Sequence, residues 1–237
     1  MDSQIHNTVP KIFWHQVENH TDDISLWQKE KGIWESTTWG EYGDFVKDIA
    51  NALLNAGIQR GDKVSVISLT RFEWVVCDLA IMSVGAITAP VYPSNTEEQV
   101  CYIMDHSESK FVFVEDQEQL DKIMKIWKDL MSLEQIVVFD KYQTTERKNI
   151  MSIAAFREKG RKYGDNNPKT LDKLIGSGNP QDLISFIYTS GTTGHPKAGI
   201  INSKNILSEG NKNSRLARII PIYHHLLILY HIHNLLY

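Results

Sequence analysis

The chain has 237 residues, 42% of them hydrophobic and 23% charged, with 25 Lys and Arg set against 29 Asp and Glu. Six Trp, nine Tyr and eight Phe supply enough apolar surface to offset the entropy of ordering, which excludes whole-chain disorder. A formal net charge of −4 with no long basic stripe excludes nonspecific nucleic-acid binding, since that depends on Lys and Arg neutralising phosphates. The length suits one large domain or two small ones. Cys77 and Cys101 lie in apolar periodic segments and read as reduced core thiols, not as a disulfide framework. The first residues show no basic-then-apolar leader, and no run approaches the roughly 18 apolar residues of a membrane span. The expectation is a cytoplasmic protein, with peripheral membrane contact left open.

Taken in chain order, a short helix is expected over residues 10–17, then two extended pieces near 24–27 and 33–37 joined by a Lys31-Gly32 turn. Thr38 is placed to cap a helix in which Tyr42, Phe45, Val46, Ile49, Ala52, Leu53 and Ala56 recur at three- and four-residue steps, with Gly57 just past its end. A strand over 64–69, a helix over 74–84 ending at Gly85, and an extended run over 87–92 follow. Ser94-Asn95-Thr96 with Glu98 and Gln99 offers a capping box for a helix carrying Val100, Ile103 and Met104. Then come a strand at 111–114, a helix at 120–131 and a strand at 136–139. Strands separated by helical crossovers predict an α/β fold, with a largely parallel sheet covered by helices on both faces. Residues 150–162 read as a helix and 163–180, rich in Gly, Asn, Asp and Pro, as a connector. Residues 183–188 restore a strand.

That strand runs into Tyr188-Thr-Ser-Gly-Thr-Thr-Gly-His-Pro-Lys197. Glycines let backbone N–H groups approach an anion, hydroxyls add donors, and a lysine supplies a point charge, so the loop can hold a polyphosphate. It is not a Walker P-loop, which would need Gly at 196 and Ser or Thr at 198, where this chain has Pro196 and Ala198. Nor is it a G-x-G-x-x-G turn, because position 189 is Thr.

The string closely resembles the signature Y-T-S-G-T-T-G-x-P-K of the adenylate-forming (AMP-binding) superfamily, which includes acyl-CoA synthetases, luciferases and peptide-synthetase adenylation domains. All nine specified positions match. The resemblance runs from about residue 10 to 206. Its flavour is that of the long-chain fatty-acid CoA ligases, carried by Thr38-Trp39-Gly40-Glu41-Tyr42, Gly61-Asp62-Lys63-Val64, Glu73-Trp74, Asp78-Leu79-Ala80, Pro90-Val91-Tyr92-Pro93 and Phe113-Val114-Glu115-Asp116. The fold implied is the first part of the large N-terminal domain of such an enzyme. The chemistry implied is a two-step ligation. A fatty acid is joined to AMP with loss of pyrophosphate, and CoA then attacks the mixed anhydride, with ATP, Mg²⁺ and CoA as the small molecules required. By this resemblance Thr189, Ser190, Gly191, Thr192, Thr193 and Gly194 cradle the β- and γ-phosphates, with Lys197 as a nearby cation. Tyr188 reads as the last packed residue of the strand, His195 has no assigned role, and no catalytic or metal-ligating residue is assigned.

Two small departures follow the loop: Ala198 stands where the family usually has glycine, and Ser203 where histidine is common at a helix start. A Cβ at 198 is expected to crowd the loop, and Ser203 to weaken the helix-start contact. The later parts of such enzymes, including an acidic Mg²⁺ ligand, an adenine pocket and a domain bearing a catalytic lysine, are not located. Residues 1–206 therefore read as a partial AMP-binding domain and 207–237 as a divergent, out-of-frame or non-homologous tail. Its His224, His225, His231 and His233 match no metal-ligand spacing. The isolated chain is accordingly expected to lack activity. Two other readings stay open: a noncatalytic nucleotide- or partner-binding module that keeps the loop, and a fragment of an enzyme adenylating another carboxylate, such as an aryl or amino acid.

Overall fold

A computed structural model of the chain describes residues 7–30, 32–143, 147–189 and 196–210. Its centre is a seven-stranded sheet. The strands are β3 (Lys63–Ile67), β4 (Ile87–Val91), β5 (Ser109–Val114), β6 (Gln135–Val138), β7 (Ile150–Ser152), β8 (Leu183–Thr189) and β9 (Lys197–Asn202). They lie in the order β7-β6-β5-β3-β4-β8-β9, all parallel except the antiparallel edge strand β9. A separate antiparallel hairpin is formed by β1 (Ile24–Glu30) and β2 (Ile33–Thr38).

The helices are α1 (Val9–Asn19), α2 (Trp39–Asn55), α3 (Phe72–Ser83), α4 (Glu97–His106), α5 (Gln117–Ile126), α6 (Ile153–Asn166), α7 (Thr170–Gly176) and α8 (Ser203–Gly210). From β3 the chain steps to β4 on one side, then back past β3 to β5. Parallel crossovers are right-handed, so a reversal of direction moves the connecting helix to the other face. The core divides accordingly. One cluster joins α1, α2, α3, α6 and α7 to Val64, Val66, Phe111, Phe113 and Val137, and the other joins α4 and α5 to Val112, Val114, Ile136 and Val138. Alternate residues of β5 thus face opposite helical layers, and burying each of its phenylalanines stabilises by about 1.5–3 kcal/mol.

Local chemistry sets the element ends. Thr38 accepts the Glu41 N–H at 3.2 Å while the Glu41 carboxylate accepts the Thr38 N–H at 2.9 Å, and Thr96 and Gln99 repeat this capping box on α4. Gly57 closes α2 at φ +86°, with the Ile58 N–H reaching the Leu53 carbonyl at 3.0 Å. Three expectations are corrected. Residues 150–152 form an edge strand on β6 before the helix begins, with Ser152 capping α6 by accepting the Ala155 N–H at 3.2 Å. The stretch expected as a connector holds the end of α6 and all of α7, because burial of Leu171 and packing of Ile175 outweigh the Gly and Asn content around them. The helix expected over 120–131 starts at Gln117, capped by Asp116, and gives way to a 3₁₀ turn at Trp127–Asp129. Cys77 is buried and Cys101 half-buried, both as free thiols, and burial pushes the Cys77 thiol up. Of the expected tail, residues 207–210 belong to the helix that begins at Ser203, and 211–237 lie outside the described residues.

The tightest crossing is α2 against α6. A Cβ built on Gly160 would collide with the backbone carbonyl of Asp48. The Asp48 carboxylate accepts from Arg157 Nη2 at 2.8 Å and Arg161 Nε at 3.0 Å. Gly160→Ala is expected to destabilise by about 3 kcal/mol in urea titrations. Gly176→Ala, whose added Cβ meets nothing within 4 Å, is the control that stays within about 1 kcal/mol of wild type.

Asp78, on α3, is buried and accepts the Thr88 hydroxyl at 2.6 Å, while its other carboxylate oxygen has no hydrogen-bond partner. Burial, opposed by the Thr88 hydrogen bond, pushes its pKa up to about 7. An unfolded Asp titrates near ~3.9, so between these values the folded state holds a proton that the unfolded state has lost, and stability falls as pH rises. Asp78→Asn keeps an acceptor for Thr88 and removes that loss. Relative to wild type, its urea midpoint should rise progressively from about pH 4 to about pH 7, the interval in which the unfolded carboxyl has ionised and the native one has not, and level off above.

Candidate functional site

The sheet's parallel strands all point one way, and ligands of open α/β sheets bind beyond the carboxyl ends of the strands. Tyr188 and Thr189 end β8 on that edge. Of the residues implied by the resemblance, Thr189 and Lys197 are described, and they stand directly opposite each other in the β8–β9 ladder. Opposed residues share a face, so a hydroxyl and an ammonium project to the same side. Both residues are exposed. Ser190, Gly191, Thr192, Thr193 and Gly194, together with His195, lie outside the described residues.

The register of this hairpin carries an irregularity. Leu183 pairs with Asn202 but Ser185 pairs with Ile201, so β8 holds one extra residue. A bulge of this kind restarts the side-chain alternation. Ile184 lies in the first core cluster, whereas Phe186 and Tyr188 lie in the second, on the α4 side. Tyr188 is therefore the last packed residue of the strand, as its sequence suggests. Its hydroxyl meets His106 Nδ1 at 2.9 Å, and burial, opposed by a hydrogen bond with Ser107, pushes its pKa up to about 12. One turn earlier on α4, the Tyr102 hydroxyl donates to the Pro196 carbonyl at 3.2 Å. The sequence reading missed Tyr102 and His106. The only signal for them is their spacing of four, which puts two aromatic rings on one helix face.

The departures at 198 and 203 also find places. Ala198 pairs with Tyr188, and its methyl packs on the second core cluster. Ser203 is buried and its hydroxyl accepts the Val9 N–H at 3.4 Å, tying the start of α8 to α1. The helix start is capped reciprocally, the Asn202 and Asn205 side chains each accepting the other's backbone N–H at 3.0 and 2.9 Å. On the neighbouring strand ends, Arg71 ties the loops after β3, β5 and β6 together, 2.7 Å from Glu73, 3.7 Å from Glu115 and 3.0 Å from Asp140.

A hydroxyl and a cation side by side at the carboxyl end of a buried strand fit a nucleotide's phosphates. Among the described residues no group of three or more His, Cys, Asp and Glu side chains is set to hold a metal ion, so these residues alone do not form a Mg²⁺ site. Fold and site together define an α/β protein of the adenylate-forming type. Residues 13–237 match the AMP-binding enzyme family, and the chain belongs to it. The match takes in residues 207–237.

The chain is 26% identical over 219 residues to the long-chain-fatty-acid CoA ligase ACSBG1 of Rattus norvegicus, covering 92% of this chain and 30% of that protein. It is 27% identical over 204 residues to the long-chain-fatty-acid CoA ligase FadD15 of Mycobacterium bovis, covering 86% of this chain and 32% of that one. It thus spans about a third or less of the length of these curated relatives. Among solved structures, the anthranilate CoA ligase AuaEII in complex with anthranoyl-AMP superposes with a TM-score of 0.72 at 21% identity, over 89% of this chain and 38% of that one. A Mycobacterium tuberculosis fatty acyl CoA synthetase gives a TM-score of 0.65 at 16% identity, over 87% and 36%. These likenesses concern the fold.

Because the Ala198 methyl faces Tyr188, restoring the family's glycine should not help this chain. Ala198→Gly is expected to lower stability by roughly 0.5–1 kcal/mol, the cost of an unpacked glycine in a strand, as read from thermal unfolding.

Proposed function

We propose that this chain is the phosphate-binding part of an ATP-dependent long-chain acyl-CoA ligase. The observation that carries this reading is the match of all nine specified positions in Tyr188–Lys197, on a loop that leaves the carboxyl end of a buried strand in an AMP-binding enzyme. The relatives named as long-chain-fatty-acid CoA ligases support the substrate class.

In the reaction, a fatty-acid carboxylate oxygen attacks the α-phosphorus of ATP, and the bond to the departing pyrophosphate breaks. The thiol of CoA then attacks the acyl carbon and AMP leaves. Negative charge grows on the pyrophosphate in the first step, and donors already in place stabilise it without reorganisation. Lys197 supplies a cation there and Thr189 a hydroxyl, with Ser190, Gly191, Thr192, Thr193 and Gly194 completing the cradle. Mg²⁺, when bound with the nucleotide, adds Lewis-acid charge to the same phosphates. No helix among the described residues is long and apolar enough to cross a membrane.

The chain by itself is expected to bind MgATP without turning it over, so fatty-acid-dependent exchange of labelled pyrophosphate into ATP should be at background. Calorimetry with MgATP tests the loop. Lys197→Ala should weaken binding about tenfold or more, the loss of one charge-assisted contact. Equal affinity in both proteins, or none in either, would remove the loop from the account.

A further inference from the structure

Thr189 and Lys197 are useful to a phosphate only if the backbone that carries them stays put. Among the described residues, β9 is an edge strand paired with β8 alone, and both side chains lie at the far end of that ladder. Such ends fray unless something else holds them. The neighbours of these two residues, Tyr188 before the loop and Pro196 after it, both reach α4. Tyr188 does so because the bulge in β8 turns it toward that helix. Pro196 has no N–H, so its carbonyl is its only backbone hydrogen-bonding group, and the Tyr102 hydroxyl takes it at 3.2 Å.

The helix doing the holding is itself fixed. Its start is closed by the Thr96–Gln99 capping box, and Val100, Ile103 and Met104 are buried beneath it. Lys122, on α5, donates to the Pro93 and Asn95 carbonyls at 2.6 and 2.9 Å, anchoring the turn that leads into α4. Tyr102 and His106 stack at 5.6 Å between ring centroids, and the Tyr188 ring meets His106 edge-on at 5.7 Å. Three rings therefore lock one another, and the stack touches the chain on both sides of the loop.

We propose that Tyr102 and His106 form a brace on α4 that sets the positions of Thr189 and Lys197 by holding their neighbours Tyr188 and Pro196. They are positioning residues, acting through backbone they hydrogen-bond and not on the nucleotide. The brace rests on the phosphate-loop reading for its purpose but not for its existence.

The test uses the whole chain and two readouts. Amide hydrogen exchange, followed without ligand, reports the loop flanks, and calorimetry with MgATP reports binding. Tyr102→Phe removes only the hydroxyl, His106→Leu removes the bond to Tyr188, and His106→Gln keeps a side chain that can bond to that hydroxyl. In Tyr102→Phe and His106→Leu, exchange at the amides of Thr189 and Lys197 should quicken about fivefold to tenfold, as expected for one lost hydrogen bond, with the β3 and β5 amides unchanged. MgATP affinity should fall by a similar factor, and His106→Gln should recover most of both losses. Unchanged flank exchange, or a rise spread through the whole sheet, would overturn the brace. Looser flanks with undiminished MgATP affinity would overturn its positioning role. A wild-type chain that binds no MgATP would instead overturn the phosphate reading, while the exchange result still decides whether the brace exists.

Discussion

The extra residue in β8 governs how the loop is presented. In an unbroken strand, Ile184, Phe186 and Tyr188 would share one face, and all three would press into the layer formed by α1, α2, α3, α6 and α7. The bulge between Leu183 and Ser185 divides them. Ile184 stays with that layer and Tyr188 crosses to α4. One insertion lets the same strand close both cores and delivers its last packed residue, Tyr188, to a helix that holds it.

That arrangement depends on a sheet whose two faces are separately covered. The reversal of direction at β3 sends α3 to one side and α4 and α5 to the other, so that the strand order switches at β3 and β4. The α2–α6 crossing at Gly160 and the pairing of Asp48 with two arginines hold the first layer close to the strands. With two guanidinium partners, the largely buried Asp48 carboxylate keeps one cation when the other is lost, and only the loss of both would leave its charge unpaired in a poorly hydrated site.

Much of this was legible in the residues. The β-branched and aromatic run Phe111–Val114, the cap at Thr38, the capping box before the helix that carries Val100, and the glycine after α2 each state a local rule that the tertiary structure then obeys. The misreadings share a cause. Residues 150–152 look helical because Ile-Met-Ser continues smoothly into a helical pattern, and only the presence of β6 alongside makes them a strand. α7 has the composition of a loop and is helical because Leu171 and Ile175 find a core to bury in. At the site, Thr189 and Lys197 were found through a motif, whereas Tyr102 and His106 sit some 82 to 94 residues from their partners. No local pattern encodes contacts at that separation. Likewise, that the Ala198 methyl packs on the α4 side follows from its pairing with Tyr188, which no local pattern states.

The central claim is that the segment from Thr189 to Lys197 binds the phosphates of a nucleotide. Backbone amide chemical shifts of the isotopically labelled chain, followed as inorganic pyrophosphate and then MgATP are added, test it most directly. The account predicts saturable shifts centred on the amides of residues 189–197, with smaller changes at Tyr102 and His106 on α4. Saturable shifts centred elsewhere, with the 189–197 amides unmoved, would contradict it.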